Sequence, residues 1–239
     1  MADWDWLRHY LQLEVNLEKI HATFPLDEPM QNSLRSCAGL RLLRQEPWEC
    51  LASFICSSTK QITQIQQIIA LLCERFGQPA PTPPGHGAVY SFPDFRRLAE
   101  VSEGELRKCK LGFRAPYLLG TARKLRDGEV DLVALHNLPL EAAREKLITL
   151  PGVGVKIADC VLLFAYGFPQ AFPVDVWIMR ALRQLYFPKR RVKLPRLRRF
   201  SETHFGPHSG YAQQYLFHYM RTKEKAERTA QVRRMDMGK

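Results

Sequence analysis

Leu150-Pro-Gly-Val-Gly-Val-Lys-Ile-Ala-Asp159 is the stretch that decides the fold of this chain. Gly152 and Gly154 are both expected to adopt backbone conformations closed to bulkier residues, and to aim successive N–H groups outward at the start of a helix, where the helix dipole favours an anion. A nucleic-acid phosphate fits such a turn. Lys156 follows immediately, and Asp175 lies 19 residues further on, just before an apolar run with helical spacing. We therefore expect an amine and a carboxylate to act beside one sugar.

The composition is that of a basic globular protein. The chain has 239 residues, 46% of them hydrophobic, which is enough for one large domain or two small helical lobes. Its 35 Lys and Arg against 24 Asp and Glu give a net charge of +11, which suits a polyanionic partner, either nucleic acid or an acidic membrane face. It has no 18-residue apolar run, and its first residues include Asp3, Asp5, Arg8 and Glu14. We therefore expect neither a membrane-spanning helix nor a secretory signal, and an intracellular location.

Most of the chain has helical patterning, and the expected fold class is all-α. The pattern predicts helices over residues 61–76, 92–100, 103–108, 115–126, 140–149, 156–166, 177–185 and 212–221. In the first of these, one apolar stripe is expected to face the core, formed by Ile62, Ile65, Ile69, Leu72 and Phe76. The Pro- and Gly-rich segment 79–87 predicts a surface loop. No alternating run is long enough to predict a sheet.

Two segments are strongly charged. Nine basic residues and no acidic one lie between residues 180 and 199, namely Arg180, Arg183, Lys189, Arg190, Arg191, Lys193, Arg196, Arg198 and Arg199. This run is either a solvated linker between two helices or a contact for the nucleic-acid backbone. Residues 222–239 are highly charged and lack an apolar period, so we expect a disordered tail after a core of residues 1–221.

Further motifs follow the same order as in one enzyme family. They are Tyr10-Leu-Gln-Leu-Glu14, Arg41-Leu-Leu-Arg-Gln-Glu-Pro-Trp-Glu-Cys-Leu51, Ser53-Phe-Ile-Cys-Ser-Ser58, Leu111-Gly-Phe-Arg-Ala115, Pro169-Gln170 and Phe205-Gly-Pro-x-x-Gly-Tyr-Ala-Gln213. With the glycine turn they make residues 6–221 similar to the helix-hairpin-helix DNA glycosylases, and within these to the 8-oxoguanine DNA glycosylase/AP lyase family. The resemblance implies two helical lobes with an active-site cleft between them and a hairpin at about residues 140–166. The family's N-terminal sheet domain is expected to be missing.

The resemblance assigns the chemistry to Lys156 and Asp175. In the family, the matching lysine attacks the sugar C1′ and forms a Schiff base that permits strand cleavage by β-elimination, and the matching aspartate assists it. The chain is thus expected to act as a monomer on double-stranded DNA that contains a damaged base, most of all 8-oxoguanine, and not on a membrane. A simpler interpretation makes Lys156 a phosphate-bonding lysine and Asp175 the N-cap of the following helix.

The resemblance also implies a pocket for the flipped base. Gln213 matches the residue that hydrogen-bonds the base edge, while Phe217 and Cys160 match the groups on its two faces. Without the family, Phe217 and Cys160 would be interpreted as core residues. The spacing of Gln213 and Phe217 places them on one helix face in either case.

The implied DNA contacts are less uniform. The hairpin is expected to bind phosphate through Gly152, Gly154, Val155 and Ile157, and Phe113 and Arg114 match the wedge aromatic and the arginine that reaches the orphaned base. Three positions depart from the family: Thr59 replaces an asparagine, Gln64 an arginine and Trp177 a phosphate-binding histidine. We therefore expect these three to contact DNA differently.

No cofactor is expected to be required. The six cysteines are scattered with no C-x-x-C pair and none follows Cys160, so neither a zinc site, a disulfide nor an iron–sulfur cluster is predicted. A structural monovalent or divalent cation on the hairpin carbonyls is an expectation of the fold. Two other functions stay open: a glycosylase for another damaged base, such as an alkylated purine, and a non-catalytic helix-hairpin-helix protein that binds DNA.

Overall fold

The computed structural model describes residues 4–188 and 190–237, with side chains up to Glu224, and the regular structure of these residues is helical apart from two short strands. The α-helices are α1 (Asp5–Tyr10), α2 (Leu17–His21), α3 (Glu28–Ser36), α4 (Pro47–Ser57), α5 (Ile62–Phe76), α6 (Phe95–Glu100), α7 (Glu103–Lys108), α8 (Ala115–Arg126), α9 (Leu140–Ile148), α10 (Val155–Val161), α11 (Val176–Tyr186), α12 (Leu194–His204) and α13 (Ser209–Met237). Short 3₁₀ helices cover Gly112–Arg114, Ala134–Asn137 and Gly206–His208, and a π-helix covers Leu162–Tyr166. The all-α prediction is confirmed.

The chain divides into two compact units, Gln45–Tyr166 and Met1–Arg44 with Gly167–Lys239. In the first unit, α4 packs against α5, α8 and α10, α6 and α7 pack on α8, and α9 packs on α10. In the second, α13 packs against α3, α11 and α12. Each unit has fully buried apolar side chains of its own: Leu51, Ile55 and Leu118 in the first, and Met30, Phe205 and Tyr215 in the second.

The helix predicted over residues 61–76 is α5, and the predicted apolar stripe is buried only at its C-terminal end, at Leu72 and Phe76. Ile68, Leu72 and Phe76 are buried, whereas Ile62 is 53% exposed. Ile68, Leu72 and Phe76 are spaced four apart and so form one line along the helix. The expected stripe included Ile62, one turn before Ile65, and Ile62 does not reach the core. The helix has more apolar positions than one face can bury, and its packing against α4 selects among them.

A short strand lies at the start of the predicted loop 79–87, and its partner strand follows the loop. β1 (Pro79–Ala80) pairs antiparallel with β2 (Val89–Tyr90), with Pro79 opposite Tyr90. The loop prediction was wrong for Pro79 and Ala80, because a proline can open an edge strand whose ladder does not need its N–H.

The charged segments are more helical than the sequence pattern suggests. The basic run covers the end of α11, a short connection and the start of α12, which buries Leu197 and Ser201 four residues apart. A linker interpretation is therefore wrong for residues 194–199, and Lys189 lies outside the described residues. α13 continues to Met237, where a disordered tail was expected from residue 222. The tail is rich in Lys, Glu, Arg, Ala and Gln, which are strong helix formers, so it can extend a helix that already exists. Residues 238 and 239 lie outside the described part.

Candidate active site

The glycine-rich turn joins α9 to α10 and depends on Gly152. Gly152 has φ +76°, and a Cβ added there would lie 2.8 Å from Cβ of Tyr117 on α8. The turn is held by the Val153 N–H, which donates to the Leu150 carbonyl at 3.1 Å, and by Thr121 Oγ1, which donates to the Pro151 carbonyl at 3.0 Å. Both the conformation and the close approach of α8 therefore require glycine at this position.

Gly154 is different, and the expectation that both glycines adopt restricted conformations was wrong. Its φ is −99° and its ψ 178°, which any residue can adopt, and it is the N-cap of α10. A Cβ there would meet no atom within 4 Å. The open space in front of the α10 N–H groups, rather than the backbone conformation, is what a glycine provides here. Ile157 is buried and Val155 half-buried, so the predicted phosphate contact of Ile157 would have to come from its backbone rather than its side chain.

Lys156 is the second residue of α10 and is half-buried. Its Nζ lies 5.1 Å from the centre of the Phe54 ring, on α4. Phe54 in turn stacks on Phe164, with ring centres 5.8 Å apart and planes 12° apart. The lysine side chain is thus directed by an aromatic surface that the helix packing fixes. Cys160, 4% exposed, is one turn further along α10 on the same face.

A buried ion pair links the two helices of the hairpin. Arg144 of α9 donates from Nε to Oδ1 of Asp159 of α10 at 2.7 Å, and its Nη1 contacts Glu141. Burial opposes the charge of Arg144, but the hydrogen bonds to Glu141 and Asp159 raise its pKa. Asp159 is 5% exposed. Sequence analysis missed this pair, although a carboxylate within an apolar helix was a signal that it needed a partner.

Asp175 caps α11, as the simpler interpretation expected. Its Oδ1 accepts from the Ile178 N–H at 2.8 Å, and the residue is half-buried. Two residues earlier, the Pro173 carbonyl accepts from Nε2 of Gln213 at 2.9 Å. Gln213 is 2% exposed and lies on α13, so the structure connects the predicted base-reading amide to the segment that carries the carboxylate.

The aromatic site residues of this unit each have an arginine over the ring. Arg221 Cζ lies 5.4 Å from the centre of the half-buried Phe217 ring, and Arg180 Cζ lies 5.4 Å from that of Trp177. Phe217 lies one turn from Gln213 on the same face of α13. The two residues therefore share one face of α13, and their role in a base pocket stays a prediction.

The predicted opposite-strand residues lie near one another in the unit Gln45–Tyr166. Phe113 is 55% exposed on the turn before α8, and Cζ of Arg114 lies 4.2 Å from its ring centre. Arg114 is 2% exposed and donates to Thr59 Oγ1 at 2.6 Å. Gln64 is engaged elsewhere, because its Oε1 accepts from the Gln61 N–H at 3.1 Å and caps α5.

The described residues contain neither a membrane-spanning helix nor a cluster of metal-binding side chains. No helix there combines the length and the apolar character needed to cross a membrane. In the same part of the chain, no three His, Cys, Asp or Glu side chains are grouped as metal ligands. A cation on the hairpin carbonyls would use backbone oxygens, and it stays a prediction.

Comparisons with known proteins give the same family as the motifs. The model for the HhH-GPD superfamily base excision DNA repair proteins matches residues 52–203, and the model for the 8-oxoguanine DNA glycosylase N-terminal domain matches residues 2–51. Residues 4–51, the described part of that second match, are helical where they have regular structure and contain no strand.

Individual relatives agree with this assignment. A probable N-glycosylase/DNA lyase of Methanothermobacter thermautotrophicus is 32% identical over 94% of this chain and 77% of its own length. The N-glycosylase/DNA lyase OGG1 of Arabidopsis thaliana is 34% identical over 88% of this chain and 60% of its own. The structure of the Clostridium acetobutylicum 8-oxoguanine glycosylase/lyase, bound to double-stranded DNA with cytosine opposite 8-oxoguanine, superposes with a TM-score of 0.86 and 34% identity over 91% of this chain and 74% of that one. The chain therefore belongs to the HhH-GPD superfamily of base excision DNA repair proteins.

Proposed function

We propose that this protein is a bifunctional DNA glycosylase/AP lyase that excises 8-oxoguanine from duplex DNA. The observation that carries the proposal is the position of Lys156, at the start of α10, directly after the Gly152 turn and against the Phe54 ring. Two relatives named as N-glycosylase/DNA lyases and a glycosylase/lyase structure with 8-oxoguanine DNA support it. A module that only binds DNA would not require both Lys156 and Asp175.

The reaction begins with attack of the Lys156 amine nitrogen on C1′ of the damaged nucleotide. The N–C1′ bond forms as the glycosidic bond breaks, and the electron pair of that bond leaves with the base, which takes up a proton. Positive charge builds on the sugar as the glycosidic bond lengthens. The Asp175 carboxylate, held by its cap bond to Ile178, stabilises that charge and accepts or returns protons.

The lyase step follows from the same covalent bond. Opening of the sugar ring gives a Schiff base between Nζ and C1′, which acidifies the protons on C2′. Loss of one such proton expels the 3′ phosphate and breaks the strand. The base itself is held outside the duplex, at a cost of about a few kcal/mol. Gln213 supplies hydrogen bonds to its edge, and Phe217, one turn along α13, stacks on its ring.

Borohydride trapping of the covalent intermediate tests the proposal. Lys156→Gln should abolish trapping on an 8-oxoguanine duplex while leaving DNA affinity within about threefold, because affinity rests mainly on phosphate contacts. Lys146→Gln, an exposed lysine of α9 in the same unit, is the matched control and should trap normally. Full trapping by Lys156→Gln would contradict the assignment of Lys156 as the nucleophile. Trapping of the native protein only on duplexes with an alkylated purine would favour the alternative substrate.

Two further features belong to the proposal. The protein acts as a monomer, which sedimentation of the free protein and of its DNA complex would check.

A structural monovalent or divalent cation on the hairpin carbonyls is the only metal we expect, and it takes no part in the chemistry. If that cation is present, dialysis against a chelator, or against sodium or potassium salts, should change the affinity for DNA. The same treatment should not change borohydride trapping on DNA that is already bound.

A further inference from the structure

Arg114 is a buried cation with too few hydrogen-bond acceptors. Its Nη1 donates to the Leu111 carbonyl at 3.3 Å and its Nη2 to Thr59 Oγ1 at 2.6 Å. Its Nε is buried and has no acceptor among the described residues. Burial lowers the pKa of Arg114, yet a guanidinium keeps its proton in proteins. The site therefore holds a desolvated charge with at least one unused donor.

Such a group is costly in the free protein, and this cost indicates a ligand. Buried donors are nearly always satisfied, so an unsatisfied one requires an explanation. No carboxylate in the described part of the chain lies within ion-pair distance of Arg114. A partner with acceptor atoms would complete the hydrogen bonds of the guanidinium.

Thr59 holds the guanidinium through an unusual backbone conformation. Its φ is +56°, in the left-handed region that β-branched residues rarely adopt. Thr59 is exposed and follows the C-cap of α4, so core packing does not force this conformation. The conformation brings its hydroxyl to 2.6 Å from Arg114, and the branched side chain restricts χ1, which fixes the direction of that hydroxyl. Strain of this kind is typical of functional sites.

We propose that Thr59 is a positioning residue that aims the Arg114 guanidinium at the base left unpaired in the opposite strand. This inference rests on the proposed function. The fork of a guanidinium matches two adjacent acceptors. Among the four bases, cytosine has two adjacent acceptors on its pairing edge, N3 and O2. Thr59 therefore contributes to cytosine recognition without contacting the base.

Binding to duplexes that carry a stable abasic analogue opposite each of the four bases tests this inference. Such a measurement needs no catalysis, so it is independent of whether the protein excises 8-oxoguanine. We expect the native protein to bind the cytosine duplex at least about fivefold more tightly than the other three duplexes. This ratio corresponds to the free energy of one good hydrogen bond. Thr59→Val keeps the branched shape but removes the acceptor, and its preference should fall below about twofold. Arg114→Met should have the same effect.

The control variant is Thr59→Ser, which keeps the hydroxyl and should keep the preference. Equal affinity of the native protein for all four duplexes would overturn the inference, and so would an unchanged preference in Thr59→Val. Loss of preference in Thr59→Ser as well would assign the effect to the methyl group instead. Thr59→Ala replaces Thr59→Val in the comparison if circular dichroism shows that the valine variant does not fold. If the native protein keeps the cytosine preference in binding but fails to form the trapped complex, the proposed function is overturned and the role of Thr59 is not.

Discussion

Replacing Gly152 with alanine should destabilise the unit Gln45–Tyr166 by two separable effects. Gly152 has φ +76°, and the added Cβ would lie 2.8 Å from Cβ and 2.9 Å from Cγ of Tyr117. The left-handed conformation costs an alanine about 1–2 kcal/mol. The contact involves the root of the Tyr117 side chain, which cannot swing away, and overpacking of this kind costs about 1–3 kcal/mol.

The chain has a matched control for each effect. Gly128 also has φ +76°, but no atom lies within 4 Å of an added Cβ, so Gly128→Ala isolates the conformational cost. Gly154 has φ −99° and equally open surroundings, so Gly154→Ala has neither cost. In urea unfolding we expect losses of about 2–5 kcal/mol for Gly152→Ala and about 1–2 kcal/mol for Gly128→Ala, and under about 0.5 kcal/mol for Gly154→Ala.

The same three variants test where a phosphate approaches. Gly154→Ala should be as stable as the native protein but bind duplex DNA at least about tenfold more weakly, or about 1.4 kcal/mol, because a methyl group would occupy the space before the α10 N–H groups. Equal destabilisation by Gly152→Ala and Gly128→Ala would refute the close approach of Tyr117. Full DNA affinity of Gly154→Ala would refute a phosphate at the start of α10.

Three other predictions follow from the site. Asp175→Asn should lower base excision at least about a hundredfold with an unchanged melting temperature, because asparagine still caps α11; a near-normal rate would leave Asp175 as a cap only. Arg196→Gln with Arg199→Gln should reduce the dependence of log affinity on log salt by about 2 if both contact phosphates, and an unchanged slope would favour a solvated surface. Excision of 8-oxoguanine should be faster opposite cytosine than opposite any other base by less than about a hundredfold, or about 2.7 kcal/mol, since Thr59 is short and Gln64 caps α5. A larger ratio of single-turnover rates on the four duplexes would contradict this prediction.

The sequence predicts helices best where local signals set both ends. The predicted bounds of α7 and α8 agree with the structure, since Ser102 and Glu105 form a capping box for α7 and a proline starts α8. α12 was missed because its many arginines hide the two positions that it buries, Leu197 and the small polar Ser201, which only packing shows to be buried. The extent of α13 was missed because charge alone was taken as a sign of disorder.

In the candidate site, residues that act from the backbone or from a helix start were predictable, and paired side chains were not. The sequence places Lys156 after a tight turn and Asp175 before a helix, and the structure has both there. The Arg144–Asp159 pair joins residues 15 apart, and the Thr59–Arg114 hydrogen bond joins residues 55 apart. Neither spacing is a local motif, so tertiary packing alone brings these partners together.

One connection changes how substitutions in the base pocket must be interpreted. Gln213 Nε2 donates to the Pro173 carbonyl at 2.9 Å, and Asp175 caps α11 only two residues later. Removing the Gln213 amide would therefore free the backbone segment that positions the carboxylate, besides removing the proposed base contact. Residues that share a partner or a backbone segment do not contribute additively. A loss of excision in a Gln213 variant can thus be assigned to base recognition only after the same substitution has been measured in the Asp175→Asn protein. That comparison separates the effect on the base from the effect on the position of Asp175.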